Sequence, residues 1–360
     1  MAAASDLTIL AGPKAYELIR EGGLAPQQVA AMAGAAGGPK WLILGHLDRL
    51  LFSRWFAGRQ TPLFLVGASS GAWRFAAACH RDPVAAIDRF ERAYIDQSYS
   101  PRPTPDEISA QGRKIQCRLL SAQPPESLLQ HPFLRLNVLA VRCKGFARSE
   151  RRPLQATGLG AAYLANLVHR GTLVWFFERT LFHDPRQRPP LRRMNEFSTR
   201  QVALRGDNLP AALMASGSIP YIMRGVPDIA GAPRGVYRDG GIIDYHLDLP
   251  FNTPNRITLM LHYTDRIIPG WFDKRLTWRK PRAGHMQNVL LVAPSPQFVE
   301  RLPHRKIPDR NDFYLFQGRD RERVRSWQRA VSESRALADA FWTLVDNGRI
   351  RDQVRRLPMA

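Results

Sequence analysis

Gly67-Ala68-Ser69-Ser70-Gly71 is the segment that most narrows what this chain can become. The apolar run Pro62 to Val66 before it reads as a short buried strand, and Ala72 to Cys79 after it reads as a helix. A strand that turns directly into a helix is the building unit of α/β sheets, and here the turn carries glycine two residues before and two after Ser69. That spacing suits a sharp elbow in which any larger side chain at Gly67 or Gly71 would strike neighbouring backbone, so that Ser69 projects outward at a helix N-terminus. Gly-x-Ser-x-Gly also arises by chance in glycine-rich loops, so the motif alone does not make Ser69 a nucleophile.

A second strand, loop and helix precede the elbow. Val29 to Gly34 reads as an apolar strand running into Gly37-Gly38, after which Pro39 opens a helix carrying Trp41, Leu42, Leu44, Leu47 and Leu51. In a parallel sheet the carboxyl ends of adjacent strands share one crevice, so the amides of Gly37 and Gly38 are placed to face Ser69 and bind an oxyanion. A phosphate-binding loop is the competing use, but neither Gly-x-x-x-x-Gly-Lys-Ser/Thr nor Gly-x-Gly-x-x-Gly occurs here.

Two further segments follow in order: Ala215-Ser216-Gly217-Ser218-Ile219-Pro220 and Asp239-Gly240-Gly241. The second sets a carboxylate on a turn that its glycines allow to bend tightly, which is also ordinary turn chemistry. Taken together, an anion-binding loop, a serine and a carboxylate are the parts acyl transfer needs.

The four ordered segments resemble those of the patatin-like phospholipases: a glycine-rich loop with a basic residue, a Gly-x-Ser-x-Gly elbow, an Ala-Ser-x-x-x-Pro segment and a distal Asp-Gly-Gly. The likeness covers about two thirds of the chain. It implies a three-layer α/β/α sandwich with a mostly parallel central sheet and a Ser-Asp dyad acting on lipid esters, as a phospholipase A or lysophospholipase, without cofactor or metal. Ser69 would be the nucleophile, Asp239 the base, Gly37 and Gly38 the oxyanion hole and Lys40 the basic loop residue. Gly67, Gly71, Ser216, Gly240 and Gly241 would be scaffold around them. Ala36 stands where the family has its first loop glycine, Trp41 replaces the last, and Pro39 brings no amide proton.

A Ser-His-Asp arrangement competes with the dyad. His246, His262, His285 and His304 all lie downstream of Asp239, the order an α/β-hydrolase uses. Of these, His246 is nearest to Asp239 in sequence.

With 360 residues, 44% of them hydrophobic, the chain is long enough for a large core. The strand and helix alternation argues one α/β domain with additions: a catalytic part over residues 1–255, and an extension over 256–360 with further strands and a helix packed on the same body. Val324, Trp327, Val331, Ala338, Phe341 and Val345 fall on one face of a single long helix, and the basic tail after Gly348 reads as loose. Leu159 to Val168 reads as a helix of small and apolar residues suited to lining an acyl channel. The start of the chain lacks a secretory pattern, no apolar stretch reaches membrane-spanning length, and Cys79, Cys117 and Cys143 have no disulfide or metal spacing; a cytoplasmic protein is the expectation.

The formal charge is +21, and only seven of the 52 basic residues are lysine. They cluster at Arg142 to Arg152, Arg186 to Arg193, Lys274 to Arg282 and Arg319 to Arg329, two of these beside Trp175-Phe176-Phe177 and beside Trp271, Phe272 and Trp278. Rings beside cations suit peripheral contact with an anionic membrane; core aromatics beside a solvated arginine face read the same way in sequence. No recognition motif points to a specific nucleic acid. A noncatalytic basic adaptor for anionic lipid or nucleic acid is the rival from another class.

Overall fold

The computed structural model describes residues 6–192 and 194–358. The chain start read for a leader and Arg193 of the second basic cluster lie outside them. Among the described residues eleven strands form one sheet: β1 (Leu7–Ala11), β2 (Val29–Gly34), β3 (Leu63–Ala68), β4 (Leu134–Cys143), β5 (Phe177–His183), β6 (Thr199–Ala203), β7 (Val226–Pro227), β8 (Val236–Asp239), β9 (Ile257–Leu261), β10 (Val289–Pro294) and β11 (Arg355–Arg356). The main path runs β11-β1-β10-β9-β2-β3-β4-β5-β6, and its central strands β10 to β4 are all parallel. The antiparallel pairings are β1 with β10, β4 with β5 and β8, and β7 with β8.

The central strands are apolar on both faces because both are covered. Met32, Leu63, Leu65, Leu136, Leu259 and Val292 point into the larger core, with the helices Ser70–Ala78, Pro83–Ile95 and Leu209–Gly217. Ala33, Phe64, Val66, Met260 and Leu291 point into a second core capped by Tyr245, Leu247 and Leu249. The fold is therefore the three-layer α/β/α sandwich with a mostly parallel sheet. β9 and β10, from beyond residue 255, lie between β1 and β2 in the middle of that sheet.

Three local expectations are corrected. The apolar stripe from Val324 to Val345 belongs to two helices, Asp320–Glu333 and Arg335–Asp346, separated at the buried Ser334. The tail is tied down: it forms a turn of helix at Ile350–Gln353 and then β11, which pairs with β1. The helix expected at Leu159 to Val168 begins at Arg152 and, apart from Ala162 and half-buried Leu159, turns its large apolar residues Leu154, Tyr163, Leu164, Leu167 and Val168 outward rather than into a channel. Among the described residues, no helix is long and apolar enough to cross a membrane.

β4 acts as a ruler for the functional centre. β5 covers one of its edges over Val138 to Cys143, so β3 and β8 must share the other. β3 climbs that edge in parallel until Ala68 stands opposite Leu139, while β8 descends it antiparallel until Asp239 stands opposite Ala140. The two strands meet end to end, and the residues at the junction are Ser69 and Asp239.

Candidate active site

Ser69 occupies a backbone conformation with φ 54° and ψ −129°, rare for a residue with a side chain, between the end of β3 and the first turn of the helix Ser70–Ala78. The flanking glycines are required by space. A Cβ on Gly67 would lie 2.6 Å from the Ala72 nitrogen, and one on Gly71 would overlap the Gly34 carbonyl at the end of β2. The elbow is thus packed hard against the neighbouring strand.

The Ser69 hydroxyl donates to Asp239 Oδ2 at 2.7 Å. The other carboxylate oxygen, Oδ1, accepts from the Gly241 amide at 2.7 Å, so the turn that follows Asp239 orients it. Burial raises the Asp239 pKa above its ordinary 3.8, while the Ser69 hydrogen bond, Arg310, the Gly241 amide and Lys274 pull it the other way. The Asp239 carboxylate is therefore more basic than an exposed one yet still neighboured by cations. Gly240 and Gly241 are also spatial necessities: a Cβ on the first would strike the Leu139 carbonyl, and one on the second would come within 2.7 Å of the Ala36 methyl. That last approach brings the base and the glycine loop together.

In that loop Gly37 and Gly38 keep amides that, among the described residues, donate to no other protein group. Gly38 has φ +57°, where glycine is favoured, and a Cβ on Gly37 would collide with the Tyr263 ring. Gly37 faces the small polar cavity beside Ser69 and Gly38 the large apolar one. The departures from the family loop have structural partners. Ala36 is buried, its carbonyl accepting from the Tyr263 hydroxyl, and Trp41 stacks on Phe90 with ring centroids 4.3 Å apart. Lys40 lies 4.8 Å over the Tyr263 ring, its pKa lowered chiefly by burial.

Ser216 sits at the carboxyl end of the helix Leu209–Gly217 and joins the elbow to the sheet. Its hydroxyl accepts from the Ser69 amide and donates to the Leu139 carbonyl. Two residues on, the Ser218 carbonyl accepts from the Asp239 amide at 3.0 Å. The residues that the resemblance assigns to this site are thus gathered at one place.

His246 is placed elsewhere in the network. It is fully buried, its Nδ1 lies 3.0 Å from the Ile268 amide and 3.1 Å from the Arg266 carbonyl, and its Nε2 hydrogen-bonds Tyr263 Oη at 2.7 Å. Burial holds its pKa well below 6.5. It bonds neither Ser69 nor Asp239, and among the described residues no histidine lines the two cavities that meet at Ser69.

Those cavities differ in chemistry. One of about 170 Å³ is polar, lined by Gly37, Lys40, Asp239, Lys274, Asp309 and Arg310. The other, of about 650 Å³, is walled by Trp73, Phe90, Tyr94, Ile108, Ile115, Met223 and Phe313. Ser69, Ile219 and Arg310 border both. Lys274 and Arg310 are the residues sequence reading missed as site residues. Lys274 opens the basic cluster Lys274 to Arg282, yet its ammonium lies 4.2 Å over the Tyr245 ring and burial, with Arg310 and Lys40 next, lowers its pKa to about 7. Arg310 carries no sequence signal at all; it arrives from the segment before the helix Asp320–Glu333.

Part of the positive charge has a structural use. Arg74 pairs with Asp48, Arg179 with Asp244 and Arg170 with Glu196 and Asp273, all inside the molecule, and Arg323 donates to the carbonyls of Ile95 and Gln97. The aromatic run divides as well: Trp175 is exposed and Phe177 fully buried.

No protein-family model matches the chain, and no curated protein is significantly similar to it in sequence.

Proposed function

We propose that the protein is a serine acyl hydrolase acting on lipid esters through Ser69 and Asp239. The observation that carries the reading is the 2.7 Å hydrogen bond from the Ser69 hydroxyl to Asp239, set where an apolar cavity of about 650 Å³ meets a cationic one. An apolar chamber of that size fits an acyl chain, and the cationic chamber fits the oxygen-rich side of the ester.

Asp239 takes the hydroxyl proton as Ser69 Oγ bonds to the ester carbonyl carbon, and the carbonyl π electrons move onto oxygen. The amides of Gly37 and Gly38 supply donors to that oxyanion, each worth about 3 kcal/mol in a preorganised site. Collapse breaks the bond to the leaving alkoxide, which receives the proton from Asp239. Water then attacks the acyl-serine, gives its proton to Asp239, and the second collapse frees the acid and returns the proton to Ser69. The two carboxylate-held hydrogen bonds fix Asp239 on both sides during these transfers. The likeness to the patatin-like phospholipases supports the same assignment, including phospholipase A or lysophospholipase activity in the cytoplasm at a membrane surface.

The test is an alkyl fluorophosphonate followed by a panel of esters of rising acyl length. Labelling at Ser69, loss of label and turnover in Ser69→Ala, and preference for long acyl chains are expected. Absence of labelling and of hydrolysis in a folded wild-type protein would favour the noncatalytic adaptor.

A further inference from the structure

We propose that the outward face of the helix Arg152–Val168 docks the protein on an anionic lipid bilayer, with the mouth of the apolar cavity held against the membrane. The proposal deepens the lipid hydrolase reading and rests on it for its biological setting.

The helix is built inside out. An ordinary surface helix buries its apolar stripe and shows its charges to water. Here the buried positions are Gln155, Gly158, Ala162 and Asn166, and residues 153–168 include no charged side chain. The inner face is held by two polar contacts, in which Gln155 accepts from the Tyr221 amide and Asn166 donates to Asp273, and by Ala162 and half-buried Leu159 in the apolar cluster around Phe177 and Phe272. Leu164 and Val168 are instead 63% and 85% exposed. Scattered exposed leucines are ordinary, but a contiguous charge-free helical face is the mark of an interaction surface.

Neighbouring segments extend that face. Gly158 lets the helix approach the backbone of Phe146 and Ala147 so closely that a Cβ would overlap the Ala147 nitrogen, and Phe146 projects outward there. The turn Arg170–Trp175 follows the helix and exposes Trp175. Arg279 donates to the Asn166 carbonyl at 2.8 Å, which ties the segment bearing exposed Trp278 to the same helix.

Charge selects the occupant. Arg148, Arg151, Arg275 and Lys280 are exposed and, among the described residues, form no ion pair. The one acidic group in the Arg142 to Arg152 segment, Glu150, is already engaged by Arg224 and Arg238. An apolar helix face flanked by tryptophans and free cations matches the acyl boundary, headgroup depth and phosphate layer of a bilayer in turn. Position agrees with this choice. Arg152 and Tyr221 line the apolar cavity, with the Arg152 guanidinium 5.5 Å over the Tyr221 ring, so the first turn of the helix is also the rim of the chamber beside Ser69. A lipid leaving the membrane there enters the cavity without crossing water.

The test is sedimentation of the full chain with phosphatidylcholine vesicles, with and without phosphatidylserine, alongside hydrolysis of a short-chain ester below its aggregation threshold, a thermal melt and a solution mass measurement. Wild type is expected to sediment with the anionic vesicles, and Leu164→Glu/Val168→Glu to lose at least about tenfold in that affinity while keeping its melting temperature. Arg148→Glu/Arg151→Glu should weaken binding to anionic vesicles selectively. Vesicle binding unchanged in the Leu164→Glu/Val168→Glu protein, or no binding by wild type, overturns the proposal, as does a dimer that this double substitution dissociates in the absence of vesicle binding. If vesicles bind as expected but no ester is hydrolysed, docking stands and the hydrolase reading falls.

Discussion

The amide of Ser69 donates to the hydroxyl of Ser216 at 2.8 Å, and that hydroxyl donates onward to the carbonyl of Leu139 in β4. One side chain thus pins the strained elbow to the strand that also positions Asp239. In Ser216→Ala the buried Ser69 amide and Leu139 carbonyl both lose their partner, at a cost of about 1–3 kcal/mol each. The variant should melt several degrees lower, and its kcat should fall more than its KM rises, because Ser69 is mispositioned while both cavities remain. Calorimetry with steady-state kinetics on a short ester checks both.

Asp239 gives the pH dependence a definite sign. Burial raises its folded pKa, and the acting base is the ionised form, so the acidic limb of kcat/KM should lie above pH 3.8. For a carboxyl whose folded pKa is raised, folding carries the full cost of the buried charge above that pKa, and the cost is relieved as pH falls through it. Asp239→Asn should therefore abolish turnover yet melt higher than wild type at neutral pH, with the two melting curves converging in acid. A melting temperature for Asp239→Asn below wild type at neutral pH would mean that the cations around the site outweigh desolvation.

Lys274 supplies the opposite case. Its folded pKa is lowered to about 7, so its charge disappears as pH rises through that value. If the cationic chamber holds an anionic part of the substrate, KM for esters bearing a phosphate or carboxylate should rise above pH 7, while KM for neutral esters stays flat. Lys274→Met should remove that difference. In stability terms the unfolded chain binds the extra proton between about 7 and 10.5, so Lys274 makes stability increase with pH over that window, and the Met variant should lose this slope.

How much of this was open to reading in the sequence depended on the range of the cause. The elbow, the glycine loop and the Asp-Gly-Gly turn declare themselves because close backbone approaches admit only glycine, as at Gly67, Gly71 and Gly240, and apolar runs such as Leu63 to Val66 mark strands buried on both faces. The meeting of Ser69 with Asp239 depends on a long-range fact, the end-to-end arrival of β3 and β8 on one edge of β4, which no local pattern encodes. Arg310 and Lys274 stayed hidden for the same reason. In the helix Arg152–Val168 apolar content does not mean burial, which is why the channel expectation fails: its buried residues are the small and polar ones.

Tyr263 holds the last piece of the site. Its hydroxyl donates to the Ala36 carbonyl and hydrogen-bonds His246 Nε2, so a buried histidine fixes the tyrosine that fixes the loop carrying Gly37 and Gly38. Tyr263→Phe removes both hydrogen bonds but keeps the ring against which Gly37 packs and over which Lys40 sits. The loop then loses one of its two anchors at Ala36, keeping the Ala36 amide bond to the Tyr245 carbonyl, without a cavity opening. The expected result is a kcat reduced about tenfold with KM little changed, since donors that drift from the oxyanion position cost transition-state binding first. His246→Ala, which removes the buried imidazole beside Tyr263 Oη, should lower stability and reduce kcat to a similar degree while fluorophosphonate labelling of Ser69 persists. Were the histidine itself the base, its loss would instead abolish labelling and turnover in a protein that still folds, and Asp239→Asn would retain measurable hydrolysis.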